Sequence, residues 1–231
     1  DAEAGRHSRD PVAMAHPDLR GAGDALQQLA AVHDLQLGVA VFALTGALAA
    51  ARDRHDIITF WFFAVVTGVG GGTLRDLLIG APVFWIGDAA YLWIGAAASL
   101  IVWIANARVE RAAALIWLDA LGLAAYAVIG AAKALALRVD PVVATAMGVL
   151  TACFGGVIRD VLAGQPSVLL KREISVSAAL LAAADFVALT ELGVEPLWAG
   201  VAGAVAGFAL RAGAIHYGWR LMAFGERRGK A

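Results

Sequence analysis

Long apolar runs separated by short charged segments organise this chain, and the runs have the length of membrane-crossing helices. A hydrocarbon core about 30 Å thick is crossed by roughly 20 residues of helix. Seven runs meet that length, approximately 35–51, 57–79, 83–107, 112–137, 141–163, 174–189 and 196–215. Five hold charge within them: Arg75-Asp76 in the second, Asp119 and Lys133 in the fourth, Arg159-Asp160 in the fifth, Asp185 in the sixth and Arg211 in the seventh. Asp88 lies near the start of the third. The pattern predicts an all-α membrane protein with seven transmembrane helices.

The chain also contains itself twice. A shift of 84 residues lays Gly71-Gly72-Thr73-Leu74-Arg75-Asp76-Leu77-Leu78-Ile79-Gly80-Ala81-Pro82 on Gly155-Gly156-Val157-Ile158-Arg159-Asp160-Val161-Leu162-Ala163-Gly164-Gln165-Pro166, with seven of twelve positions identical. At the same shift Gly38, Ala40, Phe42, Ala43, Gly46 and Ala47 fall on Gly122, Ala124, Tyr126, Ala127, Gly130 and Ala131. Each copy holds three spans, an odd number, so the second enters the membrane with the opposite orientation. The expected architecture is two inverted three-helix repeats plus a seventh helix, an arrangement recurrent among transporters.

Charge sets the orientation. With the N-terminus outside, the cytoplasmic loops hold Arg52, Arg54, Arg108, Arg111, Lys171 and Arg172, and the tail holds Arg220, Arg227, Arg228 and Lys230. The opposite loops hold only Arg138, so the positive-inside rule places the C-terminus in the cytoplasm. The expected organisation is a polar tail over 1–34 outside, a first repeat over 35–107, an inverted repeat over 112–189, a seventh helix over 196–215 and a cytoplasmic tail over 216–231. The polar opening lacks the basic-then-apolar pattern of a cleaved signal peptide, so insertion is expected from the helices themselves.

Composition narrows the function. Hydrophobic residues make up 61% and charged residues 16%, and 18 Lys+Arg against 19 Asp+Glu leave no basic excess for nucleic acid. Cys153 is the single cysteine, so neither an internal disulfide nor a thiolate cage forms. No Ser/His or His/Glu constellation lies within the spans, which argues against an enzyme, and no cofactor is expected.

The glycines and the intramembrane charges point to a solute path. Gly68-Val69-Gly70-Gly71-Gly72 places several poor helix formers together, each interior glycine costing roughly 0.8–1 kcal/mol against alanine. Interruptions of helices 2 and 5 are therefore expected, with the stranded backbone facing a cavity. The alternative is a small-xxx-small packing face. An intramembrane arginine costs roughly 2.5–3.5 kcal/mol and turns to the bundle interior. Adjacent helical residues do not face one another, so Arg75 is expected to pair with Asp160 and Arg159 with Asp76, across the repeats. Asp119 and Lys133 lie fourteen residues apart, close to four turns and so nearly one face. Lys133 stands where the first copy has Ala49, and pore lining or snorkelling toward Arg138 and Asp140 both remain open. Gly203-Ala204-Val205-Ala206-Gly207 reads as a close helix contact.

With Gly70-Gly71-Gly72-Thr73-Leu74-Arg75-Asp76 before Pro82-Val83-Phe84-Trp85, and Gly155-Gly156-Val157-Ile158-Arg159-Asp160 before Lys171-Arg172-Glu173-Ile174, the chain resembles prokaryotic trimeric intracellular cation (TRIC) channels over about residues 35–215. Bacterial sequences of this kind also bear the label of putative glycine transporters. The resemblance implies a homotrimer in the bacterial inner membrane, each protomer with its own pore bounded by helices 1, 2, 4 and 5 and conducting monovalent cations, mainly potassium, with sodium a second candidate. It makes Gly70, Gly71, Gly72, Thr73, Gly155 and Gly156 the helix-break and ion-path residues, with potassium passing near the carbonyls of Gly71, Gly72, Gly155 and Gly156. Lys133, Asp119, Arg75, Asp76, Arg159 and Asp160 are the pore and gating candidates. Lys171 and Arg172 are candidate contacts to anionic lipid. The rival function is a carrier of glycine or another small amino acid.

Overall fold

The computed structural model describes residues 19–105, 111–165 and 174–219, and these form helices without a strand. The helices are α1 (Leu19–Arg52), α2 (Ile57–Leu78), α3 (Ala90–Ala105), α4 (Arg111–Ala136), α5 (Pro141–Leu162), α6 (Ser175–Glu191) and α7 (Pro196–Tyr217). Two units are distinguished, Asp1–Asp34 and Leu35–Ala231, and the packing described below is that of the second. Leu35–Arg52, α2, Ala113–Ala136, α5 and α7 are long and apolar enough to cross a membrane, while α3 and α6 have 16 and 17 residues.

The third span begins later than expected, at Ala90 rather than Val83. Carboxylates and an indole hold the intervening backbone in turns. Asp76 Oδ2 accepts the Phe84 N–H at 3.1 Å, Asp88 Oδ1 accepts the Ala90 N–H at 2.9 Å, and the Trp85 indole donates to Thr73 Oγ1 at 2.9 Å.

The 84-residue repeat extends to the fine structure. Asp56 caps α2 by accepting the Ile58 N–H at 2.9 Å, and Asp140 caps α5 by accepting the Val142 N–H at 2.9 Å. Arg54 and Arg138, each two residues ahead of its cap, share a left-handed φ of 57° and 60°. Both helices end alike, with Gly80 and Gly164 at positive φ. The next N–H then closes on the Asp76 or Asp160 carbonyl, at 2.8 and 2.9 Å. Glycine suits that left-handed position because a Cβ is strained there.

The caps carry a pH dependence. The backbone N–H of Thr59, then its hydroxyl, hold the exposed Asp56 carboxyl below the usual carboxylate range. A group depressed in the fold stabilises fully above its ordinary value and loses that contribution as pH falls through the lowered one. Amide protection at Ile58 and Thr59, taken relative to the intrinsic exchange rate at each pH, is therefore expected to fall in acid, and Asp56→Ala is expected to show that reduced protection already at neutral pH. Equal rates in the two proteins at neutral pH would remove the cap from the account.

Small residues fill the interior and large ones coat the outside. Ala43, Ala47, Ala127, Ala131, Ala182 and Ala183 are fully buried, while Ile58, Trp93, Ile104, Val142 and Leu197 are exposed. That inversion suits a helix bundle surrounded by lipid, where close backbone approach replaces the hydrophobic effect. The Gly203–Gly207 contact is as expected: Cβ atoms there would meet the Ala182 and Ala178 carbonyls of α6.

Candidate functional site

The site is built around the crossing of α2 and α5. A Cβ on Gly71 would strike the Thr151 carbonyl, and one on Gly155 would strike the Thr67 carbonyl. Each advance along α2 is thus matched by a retreat along α5, so the helices run antiparallel across the repeat axis. Phe42 and Tyr126, equivalent in the two copies, stack at this axis with ring centroids 4.9 Å apart. The Tyr126 hydroxyl donates to the Gly68 carbonyl at 2.8 Å, tying α4 to α2.

The helices are not interrupted, which corrects the expectation drawn from their glycines. α2 stays helical from Ile57 to Leu78 and α5 from Pro141 to Leu162. Close approach explains why. Gly71 and Gly155 let two backbones touch, and packing over a long antiparallel contact outweighs roughly 0.8–1 kcal/mol of lost propensity per glycine. The carbonyls of Gly71, Gly72, Gly155 and Gly156 therefore sit within continuous helices, and their release to a cation loses its structural premise. Thr73 bonds its own helix, donating to the Val69 carbonyl at 2.8 Å.

Two buried charge clusters lie on either side of the crossing. In the first, Arg75 Nε donates to Asp76 Oδ1 at 2.9 Å, and Lys133 Nζ reaches the same oxygen at 2.8 Å. In the second, Arg159 Nε donates to Asp160 Oδ1 at 3.0 Å, while its Nη1 donates to Asp119 Oδ1 at 2.7 Å and to Thr45 Oγ1 at 3.2 Å. Arg75 and Asp76 are wholly buried and Arg159, Asp119 and Asp160 nearly so.

The expected pairs Arg75–Asp160 and Arg159–Asp76 are not formed, and the antiparallel register gives the reason. The α2 residue level with Arg159 is Phe63, twelve residues before Arg75. At 1.5 Å per residue the two guanidinium groups are roughly 18 Å apart along the axis. Each arginine instead folds back on the carboxylate next in sequence, since its long side chain spans what a shorter one cannot.

Helix α4 makes the clusters unequal. It supplies Lys133 to the first and Asp119 to the second, so residues on one face serve sites at opposite ends of the crossing. Lys133 does not snorkel; its side chain is 30% exposed and its ammonium is held by Asp76. Among the described residues the first cluster has two cations and one carboxylate, and in the second one arginine contacts two carboxylates. Sequence reasoning missed Thr45 and Tyr126 as site residues. Tyr126 was detectable as a hydroxyl added where the first copy has Phe42; Thr45 falls on Ile129 and gave no comparable signal. Lys171 and Arg172 lie outside the described residues.

Among the described residues no group of histidine, cysteine or carboxylate side chains is placed to hold a metal ion. The sequence matches the family described as Glycine transporter over residues 35–107 and 116–191. It is 37% identical over 192 residues to a UPF0126 membrane protein of Vibrio cholerae, covering 81% of this chain and 80% of that protein. It is 40% identical over 148 residues to the UPF0126 inner membrane protein YadS of Escherichia coli, covering 63% and 72% respectively. The fold matches the solved TRIC trimeric intracellular cation channel orthologue from Rhodobacter sphaeroides with a TM-score of 0.79 at 44% identity, over 82% of this chain and 99% of that one. It matches a prokaryotic TRIC channel solved in 0.5 M KCl with a TM-score of 0.76 at 25% identity, over 84% and 100%. The chain is a membrane protein of the TRIC family, whose sequence description is Glycine transporter.

Proposed function

We propose that the protein is a passive channel for monovalent cations, chiefly potassium, with one path inside each protomer of a homotrimer. Its place is the bacterial inner membrane, N-terminus outside and C-terminus in the cytoplasm, with Lys171 and Arg172 toward anionic lipid. The likeness to TRIC cation channels supports the reading, as does the positive-inside charge distribution.

The observation that carries the mechanism is the Lys133–Asp76 pair. Of the three cations in the two clusters, Arg75 and Arg159 are buried and folded onto the carboxylate next in sequence, whereas Lys133 is partly exposed and ends a flexible stem. Lysine is a compact charge with rotatable donors, suited to exchange. With the ammonium on Asp76 the path meets a positive group and is closed to cations. With the ammonium swung away, Asp76 offers a carboxylate to a partly hydrated potassium ion, and Asp119 and Asp160 raise the cation concentration at the other cluster. The continuous α2 and α5 remove the half-helix N-terminus that a bound amino-acid carboxylate needs, which weighs against the carrier.

Proteoliposomes separate the two. Potassium flux down its gradient, indifferent to glycine, is expected; saturable glycine uptake without potassium conductance would establish the carrier. Lys133→Ala is expected to raise open probability or unitary conductance severalfold with the fold intact. Unchanged currents in that variant would remove the lysine from the gate.

A further inference from the structure

The two arginines occupy equivalent places in the repeat but are not equally satisfied. Arg159 Nε donates to Asp160 and its Nη1 donates to Asp119 and Thr45, while its Nη2 makes an ion-pair contact to Asp160 Oδ1 at 2.9 Å. Arg75 is fully buried, yet only Nε donates, to Asp76. Its Nη2 lies 2.8 Å from the same oxygen as an ion-pair contact without a hydrogen bond, and Nη1 and Nη2 find no acceptor among the described residues. A buried guanidinium nitrogen left so is costly, more so than an unpaired neutral group.

The repeat shows which partners the first cluster lacks. Shifted by 84 residues, Asp119 falls on Leu35 and Thr45 on Ile129, so apolar residues take the sequence positions that give the second cluster its carboxylate and its hydroxyl. Lys133, on the position of Ala49, brings a second cation instead. Arg75, Asp76 and Lys133 together hold one positive charge too many. Lys133 is partly exposed, so the cluster has a side open to exchange.

We infer that Arg75 Nη1 and Nη2 bind a small monovalent anion, a halide or a monocarboxylate, in the role that Asp119 plays toward Arg159. The anion neutralises the cluster and completes the hydrogen bonding of Arg75. In doing so it lowers the electrostatic barrier that two cations present to potassium. The binding claim stands by itself; the effect on current rests on the channel reading.

The test uses the full purified chain in lipid nanodiscs, with potassium chloride, formate and gluconate at matched ionic strength. Ligands that bind only the folded state raise the unfolding midpoint by mass action. Chloride and formate are expected to raise it saturably over gluconate. Arg75→Lys and Leu35→Asp are both expected to abolish that difference, the first by removing the fork, the second by supplying the missing carboxylate from within the chain. Leu35→Asp guards against a merely misfolded Arg75 variant, since it is expected to remain folded at or above the wild-type midpoint. In bilayers, potassium conductance is expected to fall severalfold when gluconate replaces chloride, and to be insensitive to the anion in Leu35→Asp. Equal midpoints in the three salts would overturn the site and leave a water molecule on Arg75. A salt-dependent midpoint without potassium current would uphold the site and overturn the channel instead.

Discussion

Arg159→Met is expected to destabilise the protein by about 3–5 kcal/mol, the cost of leaving buried charge uncompensated when one partner of a buried pair is removed. Asp119 and Asp160 are both nearly buried, and both contact the same guanidinium. A lysine restores the charge but not the geometry, because three donors on one planar group serve two carboxylates and Thr45. Arg159→Lys is therefore expected to recover only part of the loss. Adding Asp119→Asn to Arg159→Met is expected to recover more, since the buried carboxylate that Arg159 Nη1 held is then neutral. Thermal unfolding of the four proteins in one detergent reads all of this. A methionine variant within about 1 kcal/mol of wild type would show that water reaches the cluster.

The second large effect concerns two adjacent glycines with opposite expected outcomes. Gly155→Ala drives a methyl into the Thr67 carbonyl, a backbone atom that cannot turn aside. Overpacking of that kind costs typically 1–3 kcal/mol, occasionally more, and it separates α2 from α5 at their closest point. Gly71→Ala is its counterpart against Thr151. At Gly156 the nearest atoms to an added Cβ lie 3.6 Å away, on Arg159 and Asp119, which is ordinary contact. Gly156→Ala is expected to be neutral or to stabilise by up to about 1 kcal/mol through helix propensity. Unfolding midpoints and current amplitudes of the pair decide between packing and helix breaking. If Gly156→Ala abolished the current while Gly155→Ala left it intact, the glycines would act through local unwinding after all.

Much of the fold was legible because membrane helices leave strong marks. Apolar runs gave the helix positions to within a residue or two in most spans, and the Gly-Gly-x-x-Arg-Asp recurrence gave the inverted duplication. What failed was inference about partners. The glycine run predicts a break because propensity is a property of one helix, while its compensation comes from another. The cross-repeat arginine pairs were inferred from charge and from neighbours not facing each other, without the register that puts them roughly 18 Å apart. Apolar Phe84 and Trp85 extend the third span back to Val83 in the sequence pattern, although Asp76 and Thr73 hold that segment in turns. Lys133 was correctly singled out as the break in repeat symmetry, but its choice of Asp76 needed the positions of α2 and α4 together.

Recording purified protein in a planar bilayer under a potassium gradient tests the central claim most directly. Stepwise unitary currents that reverse near the potassium equilibrium potential, with larger or longer openings in Lys133→Ala, are the predicted result. A bilayer that stays silent with correctly folded protein, or steps that reverse at the anion potential, would contradict a cation path gated by Lys133 on Asp76.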